Sequence, residues 1–461
     1  MTALRPARMN APQIGQRRVP AERRVRGEHE EWERWLAAGA IGLLVLFNVA
    51  LISLQVASIP IRSVLTVGAL ALATLLYPRI AAGMLARFAP VLLLAGALAL
   101  LGAFSSIVAG TGLSTIGRAI LEVHVQAVVT LAFAAIAAQV CRFRMAAWAV
   151  VGAIGVSAGV GLLQGTGLDA AWTLREVVGN LQNHDFGEDS SFANRRPMGL
   201  SYSPIHLSTQ ACLAFAAYAG MRYAETPTAA RNSGGAVIDP WLWLALALMI
   251  AVSAASATRS PILGAVVFAG AYLLLRGNGW LVVLGALGGA LAMFALPTVL
   301  EALQGTDYRI FRTDDNSASG RLPLFTFGGL LLLDNPLGYG FGFQSTDYWH
   351  RYWPDLYHMP SAGVVREAEL HNYVLNMATT YGLGLVLVAP IVAVLMWRGR
   401  HFAIFFVPYA VHILFHNSGP FWNDTLFWFV VGALSAAKFA APVPRAEPRP
   451  RPRPLRMRAA G

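Results

Sequence analysis

Hydrophobic stretches of roughly 20 residues recur along the chain with short polar breaks between them, and that is the length a helix needs to cross a bilayer's hydrocarbon core. The pattern predicts helices near 35–54, 62–80, 88–106, 118–140, 145–163, 204–222, 240–257, 260–276, 279–298, 372–396, 402–417 and 421–440. These make about twelve spans, and the fold class they predict is an all-α polytopic membrane protein. The break at Thr258-Arg259-Ser260 is so short that a window average would fuse the seventh and eighth spans. Residues 35–440 form a single membrane domain on this reading, flanked by tails at 1–34 and 441–461. Both tails are rich in Arg, Pro, Ala and Glu and are predicted to be disordered.

Arginine placement orients the spans, because short positively charged loops stay cytoplasmic. The N-terminal tail is arginine-rich. Alternate breaks repeat the bias through Arg79 and Arg87, Arg142 and Arg144, Arg222 and Arg231, Arg276, Arg398 and Arg400, and the Pro/Arg tail. All fall on one side if the seventh and eighth spans are separate, and fusing them would move Arg398, Arg400 and the C-terminal tail to the other. Separate spans and two cytoplasmic termini are therefore expected.

Composition agrees with this picture. Of 461 residues 56% are hydrophobic and only 13% charged, far from the averages of soluble domains. The net charge of +11 is accounted for by the inner segments facing membrane lipids, which argues against nucleic acid as a partner. The first 34 residues lack the apolar run and cleavage site of a secretory signal. Two cysteines, Cys141 and Cys212, supply neither a disulfide framework nor a metal set.

Two outer loops exceed what connection requires, about 164–203 and 301–370, and long loops in compact proteins are commonly functional. The first contains Arg195-Arg196-Pro-Met-Gly199, just before the sixth span opens at Pro204. The second contains Ser319-Gly-Arg321, an apolar run to Leu333, then Asp334-Asn-Pro-Leu-Gly338, and it ends at Glu369-Leu-His371-Asn372. The run from Leu322 to Leu333 is too short to cross and predicts a re-entrant or surface-lying helix. Arg196, Arg259, Arg321 and His371 thus gather on the face where positive-inside bias disfavours arginine. Their bland alternatives are a snorkelling span end for Arg259, an interface anchor for Arg321 and an ordinary helix-end residue for His371. Arg195 competes with Arg196 for one role, and the sequence does not choose between these neighbours.

With these motifs in order, the chain resembles the O-antigen ligase and O-antigen polymerase superfamily of membrane glycosyltransferases. The likeness rests on Arg196-Pro-Met-Gly199, Thr258-Arg259-Ser260 opening a span, Ser319-Gly-Arg321 ahead of the Asp-Asn-Pro-Leu-Gly segment, and His371-Asn372 followed by Gly382-Leu-Gly384. It implies a glycosyltransferase C-type fold in the bacterial inner membrane, with the long periplasmic loop between spans nine and ten and the active site on the periplasmic face. The implied donor is an undecaprenyl-diphosphate-linked glycan whose diphosphate is held by arginines. The implied acceptor is lipid A core or a growing glycan, deprotonated by the histidine.

The residue types suit such chemistry. Arginine stays charged and presents a planar fork to phosphate oxygens, so no metal and no cofactor is expected. Histidine, with an unperturbed pKa of about 6.5, is available as a base near neutrality. Twelve spans with the large loop after the ninth resemble the ligase branch more than the polymerase one. A transporter, such as a lipid-linked glycan flippase, is the alternative of another class. It would need charge through the membrane midplane, where Glu122 and His124 are the main exceptions to an apolar interior. His206 and His416 read as structural histidines, and the loop aromatics from Tyr339 to Tyr357 read as an interfacial belt.

Overall fold

The computed structural model describes residues 31–56, 59–182, 196–226, 239–276, 319–422 and 424–439. Residues 1–30 and 440–461, Arg195 and the ninth predicted span lie outside the described residues, and the first helix begins at Glu31, inside the stretch 1–34 predicted to be disordered. What is described is helical, apart from an antiparallel pair of two-residue strands, β1 (Gln55–Val56) and β2 (Ile59–Pro60).

The first half runs α1 (Glu31–Ala50), α2 (Ile61–Leu76), α3 (Pro78–Val108), α4 (Leu113–Ala119), α5 (Gln126–Cys141) and α6 (Phe143–Gly165). A π-helical segment, Ile120–Val125, joins α4 to α5 without a break. Then follow α7 (Asp169–Asn180), α8 (Pro204–Glu225), α9 (Pro240–Ala255) and α10 (Ser260–Arg276). The last group is α11 (Arg321–Asp334), α12 (Trp349–Leu356), α13 (Tyr373–Tyr381), α14 (Leu385–Ala403), α15 (Val407–Ile413) and α16 (Thr425–Ser435). The predicted spans within the described residues overlap these helices, but two predicted breaks do not exist: α3 runs through 81–87, its start set by Pro78 after Tyr77, and α14 runs through 397–401. The short apolar run of the second loop is occupied by α11.

Five helical stretches are long and apolar enough to cross a membrane: Glu31–Ala50, Pro78–Val108, Leu113–Cys141, Phe143–Gly165 and Tyr373–Ile413. Ile61–Leu76, Pro240–Ala255, Ser260–Leu275 and Thr425–Ser435 are shorter apolar helices. Large side chains such as Leu72, Leu93, Leu100, Val386, Leu387 and Trp397 stand exposed on their outer surfaces, as lipid-facing surfaces require. Predicted as a span like the others, α8 takes a different part. It is buried along most of its length, including Ser208, Thr209 and Gln210, and packs on α6, α9 and α16. Its neighbours are protein, so it carries hydroxyl and amide groups that lipid would reject. Close approach elsewhere relies on small residues: Gly264 lies on the backbone of Pro408, and Gly432 on α5 at Leu131 and Ala134.

Side-chain bonds tie the loop ends of this bundle to one another. Gln182, after α7, receives the backbone N–H of Ser53 at 2.9 Å and donates to Ala50 O at 2.8 Å. Gln164, at the end of α6, accepts from the N–H groups of Met198 and Gly199, both at 2.9 Å. Ser105 donates to Leu337 O at 2.6 Å. The ends of α1, α3 and α6 therefore share a loop-rich face with α7, the segment before α8 and the 335–342 loop.

Candidate functional site

Three of the four predicted site residues owe their positions to short turns at this face. The turn between α9 and α10 bends sharply because Ala257 adopts a left-handed φ of 51°, a conformation disfavoured for any residue with a Cβ. Arg196 holds it. Its Nε donates to Ser256 O at 2.9 Å, and its Nη2 donates to Ala257 O at 2.9 Å and to Thr258 Oγ1 at 3.1 Å. These bonds satisfy the carbonyls that the helix end leaves over. They also fix the point at which Arg259 leaves the turn and α10 begins. Arg196 was expected as a diphosphate ligand; what its geometry displays is a clamp on the turn that carries Arg259.

The segment preceding α8 is equally determined. Gly199 has φ 61° and lies so close to the Ser157 carbonyl that a Cβ would overlap it. Its amide and those of its neighbours are received by Gln164 and by Ser157 Oγ. Buried Arg175 of α7, which the sequence reasoning passed over, donates from Nε to Ser201 O at 2.8 Å. Burial lowers its guanidinium to about 10, still protonated at neutral pH. Ser203 then caps α8 and bonds His206 Nδ1 at 2.8 Å.

His371 sits one residue before the N-cap of α13, where Asn372 accepts from the Leu375 N–H at 2.9 Å. Its Nδ1 is 2.6 Å from the Glu369 carbonyl oxygen. A carbonyl can only accept, so Nδ1 carries the proton of this bond. Glu369 itself is turned elsewhere: its carboxylate receives the Ser345 hydroxyl at 2.8 Å and the Ser345 amide at 3.2 Å. It therefore acts on His371 through its backbone.

Arg321 opens α11 and lies over the ring of Phe415, 4.9 Å from the centroid. Phe415 belongs to the turn between α15 and α16, which also carries His416. There the structure reveals a buried network that sequence reasoning missed. His412 Nε2 bonds Thr209 Oγ1 at 2.9 Å, His412 Nδ1 bonds Ser260 Oγ at 2.9 Å, and Ser260 Oγ bonds His416 Nε2 at 3.2 Å. Ser260 directly follows Arg259, so the network anchors the start of α10 against α8 and α15. His416 lies within electrostatic reach of Arg321, His371 and His206. Arg321 and His371 are thus both near His416, and Arg259 precedes Ser260, which bonds that same histidine. The signal that could have found the network is the four-residue spacing of His412 and His416, which puts both on one helical face.

The aromatics of the second loop pack against one another. Tyr339, Phe343, Tyr348, Trp349, Tyr352 and Trp353 pack with Leu324, Phe327 and Leu331 into a small core beneath α11 and α12. Arg366 covers two of these rings, 4.5 Å from the centroid of Trp349 and 3.9 Å from that of Trp353. Tyr352 bonds Asp334 at 2.8 Å, and burial, with help from Tyr339 and Asp334, pushes its hydroxyl well up. Glu122 and His124 do not mark a polar path through the middle of the bundle. Glu122 pairs with Arg118 at 2.7 Å and lies within electrostatic reach of Arg62 at the start of α2. His124 bonds the Tyr381 hydroxyl at 3.1 Å and is flanked by Phe341 and Phe421.

A small crevice is lined by Asn48, Val49, Ile52, His206, Gln210 and Asp424. No curated protein matches the chain. Residues 244–389 match the sequence model of the family described as O-Antigen ligase, a stretch that contains Arg259, Arg321 and His371. That match supports the chain's membership of the O-antigen ligase superfamily.

Proposed function

We propose that the protein transfers an undecaprenyl-diphosphate-linked glycan to an acceptor hydroxyl on the periplasmic face of the bacterial inner membrane, with lipid A core as the acceptor. What supports this reading is His371 with its Nδ1 committed to Glu369 O, and His416, which lies near both His371 and Arg321 and bonds Ser260, the neighbour of Arg259. The acceptor oxygen attacks the anomeric carbon as its proton passes to His371 Nε2. The bond from that carbon to the diphosphate breaks on the opposite face, and the leaving group takes the electron pair. The configuration inverts in a single displacement.

The leaving group gathers negative charge as it departs, and preorganised guanidinium groups stabilise that charge without a metal ion. Arg259 and Arg321 supply them, while Arg196, through the turn it clamps, holds Arg259 in register. His371 lies just ahead of α13 with its Nδ1 committed to Glu369 O, which leaves Nε2 to take the acceptor's proton.

The test is a deletion strain complemented with wild type or His371→Ala, with surface lipopolysaccharide and the undecaprenyl-linked pool both resolved on gels. A ligase leaves unmodified core and accumulated long lipid-linked polymer in the deletion. Core bearing a single repeat instead identifies a polymerase, the other activity within the superfamily. No change in either pool would overturn both.

A further inference from the structure

Arg62 is a second-turn neighbour of nothing in the sequence motifs, yet its surroundings are unusual. It is the second residue of α2 (Ile61–Leu76), at the helix end whose dipole repels a cation. Its Nε and Nη1 are buried and make no hydrogen bond among the described residues. Buried guanidinium nitrogens without acceptors are costly and rare in folded proteins.

The two nearby carboxylates do not resolve this. Glu122 and Asp424 lie within electrostatic reach of Arg62, but each is committed elsewhere. Glu122 receives Arg118 Nε at 2.7 Å. Asp424 receives the Tyr409 hydroxyl at 2.6 Å and, as the cap of α16, the Phe427 amide at 3.2 Å. They support the charge on Arg62 from a distance and leave its donors for another acceptor.

Position supplies the second half of the argument. Arg62 acts electrostatically on His206, which lines the crevice with Asp424, and His206 in turn acts on His416, as do Arg321 and His371. Arg62 therefore stands close to the crevice that His206 and Asp424 line. Its buried donors, its place at a helix N-terminus and its unengaged fork all match a doubly charged oxyanion.

We propose that Arg62 is a phosphate-binding group beside this crevice, one that takes a phosphate of a lipid-linked ligand. The inference rests on the glycan-transfer reading for the ligand's class and deepens it. Two sources present that chemistry, the donor's diphosphate and a phosphorylated acceptor.

The experiment uses the full-length protein in lipid nanodiscs, comparing wild type with Arg62→Gln and Arg62→Lys. Three readouts are taken: affinity for undecaprenyl diphosphate, KM for the lipid-linked donor and for the acceptor, and the unfolding temperature without ligand. Arg62→Gln is expected to weaken undecaprenyl diphosphate binding about 10- to 100-fold, with Arg62→Lys in between and the ligand-free unfolding temperature unchanged or raised. A rise confined to the acceptor KM assigns the same subsite to the acceptor's phosphate. Unchanged affinity and both KM values unchanged overturn the inference, as does a lowered ligand-free unfolding temperature with full binding in Arg62→Lys, which makes Arg62 structural. Wild type that fails to bind undecaprenyl diphosphate overturns the donor reading instead. His371→Ala separates the two further, since it is expected to abolish turnover while binding persists.

Discussion

At the scale of single residues, function divides between groups that would touch the reacting atoms and groups that hold them. His371 is the clearest of the first kind, because the bond from its Nδ1 to Glu369 O fixes the tautomer. His371→Gln keeps the polar surface and removes the base; turnover is expected to fall about 100- to 10,000-fold with little change in the donor's KM. Near-normal turnover in a stopped-time transfer assay would show that another group takes the proton. Arg196 is of the second kind. Lysine cannot reproduce its two-nitrogen grip on Ser256, Ala257 and Thr258. Arg196→Lys is expected to lower kcat/KM by about tenfold or more through misplacement of Arg259. It should also lower stability by about 1–3 kcal/mol, since buried carbonyls lose their donor. A binding-only role for Arg196 would leave the unfolding temperature untouched, so thermal unfolding of the variant decides between them.

At the scale of elements, much was legible in the sequence, and the reasons for the gaps are physical. Hydrophobic runs of span length located the helices, since an apolar environment demands continuous backbone bonding. The division at Thr258-Arg259-Ser260 was readable from charge placement, and α9 and α10 are indeed separate helices around that turn. Arg259, Arg321 and His371 were readable because charge on the disfavoured side of a membrane is conspicuous. What the pattern could not reveal depends on side chains distant in sequence. The His412–Ser260–His416 network joins residues about 150 positions apart, and the surroundings of Arg62 come from Glu122, His206 and Asp424, all distant in sequence. Hydropathy also could not show that α8 is surrounded by protein. The loop Pro336–Gly342 carries its own test: Gly340 has φ 78°, and a Cβ there would overlap the backbone of Ser106. Both effects strain Gly340→Ala, which is expected to cost about 1–3 kcal/mol and to detach the 335–342 loop from α3. Unaltered thermal unfolding of that variant would mean that the contact between α3 and the loop is dispensable.

At the scale of the whole molecule, the argument turns on sidedness. The contacts of Gln182 with α1, Gln164 with the segment before α8, Ser105 with Leu337 and Arg196 with the α9–α10 turn place these loops on one face. A lipid-linked donor presents its diphosphate at the membrane surface, so arginines and a base gathered on one face can serve it only if that face is the one where the acceptor arrives. Arg87 lies within α3, Arg222 within α8 and Arg398 and Arg400 within α14; on the proposed orientation the positive-inside bias would hold these arginines on the cytoplasmic side. Single cysteines introduced into a variant lacking Cys141 and Cys212 test this directly with a membrane-impermeant thiol reagent on intact spheroplasts. Labelling is expected at Gly167 and Tyr357, both in the two long loops, and none at Arg142 or Arg398 until the membrane is opened. The separation of α9 from α10 makes the assay sharp, because fusing them would exchange the sides of every loop that follows. Tyr357 protected and Arg398 labelled would therefore put Arg321 and His371 on the cytoplasmic face, where a periplasmic acceptor never comes, and the transfer reaction assigned to them would fall with that result.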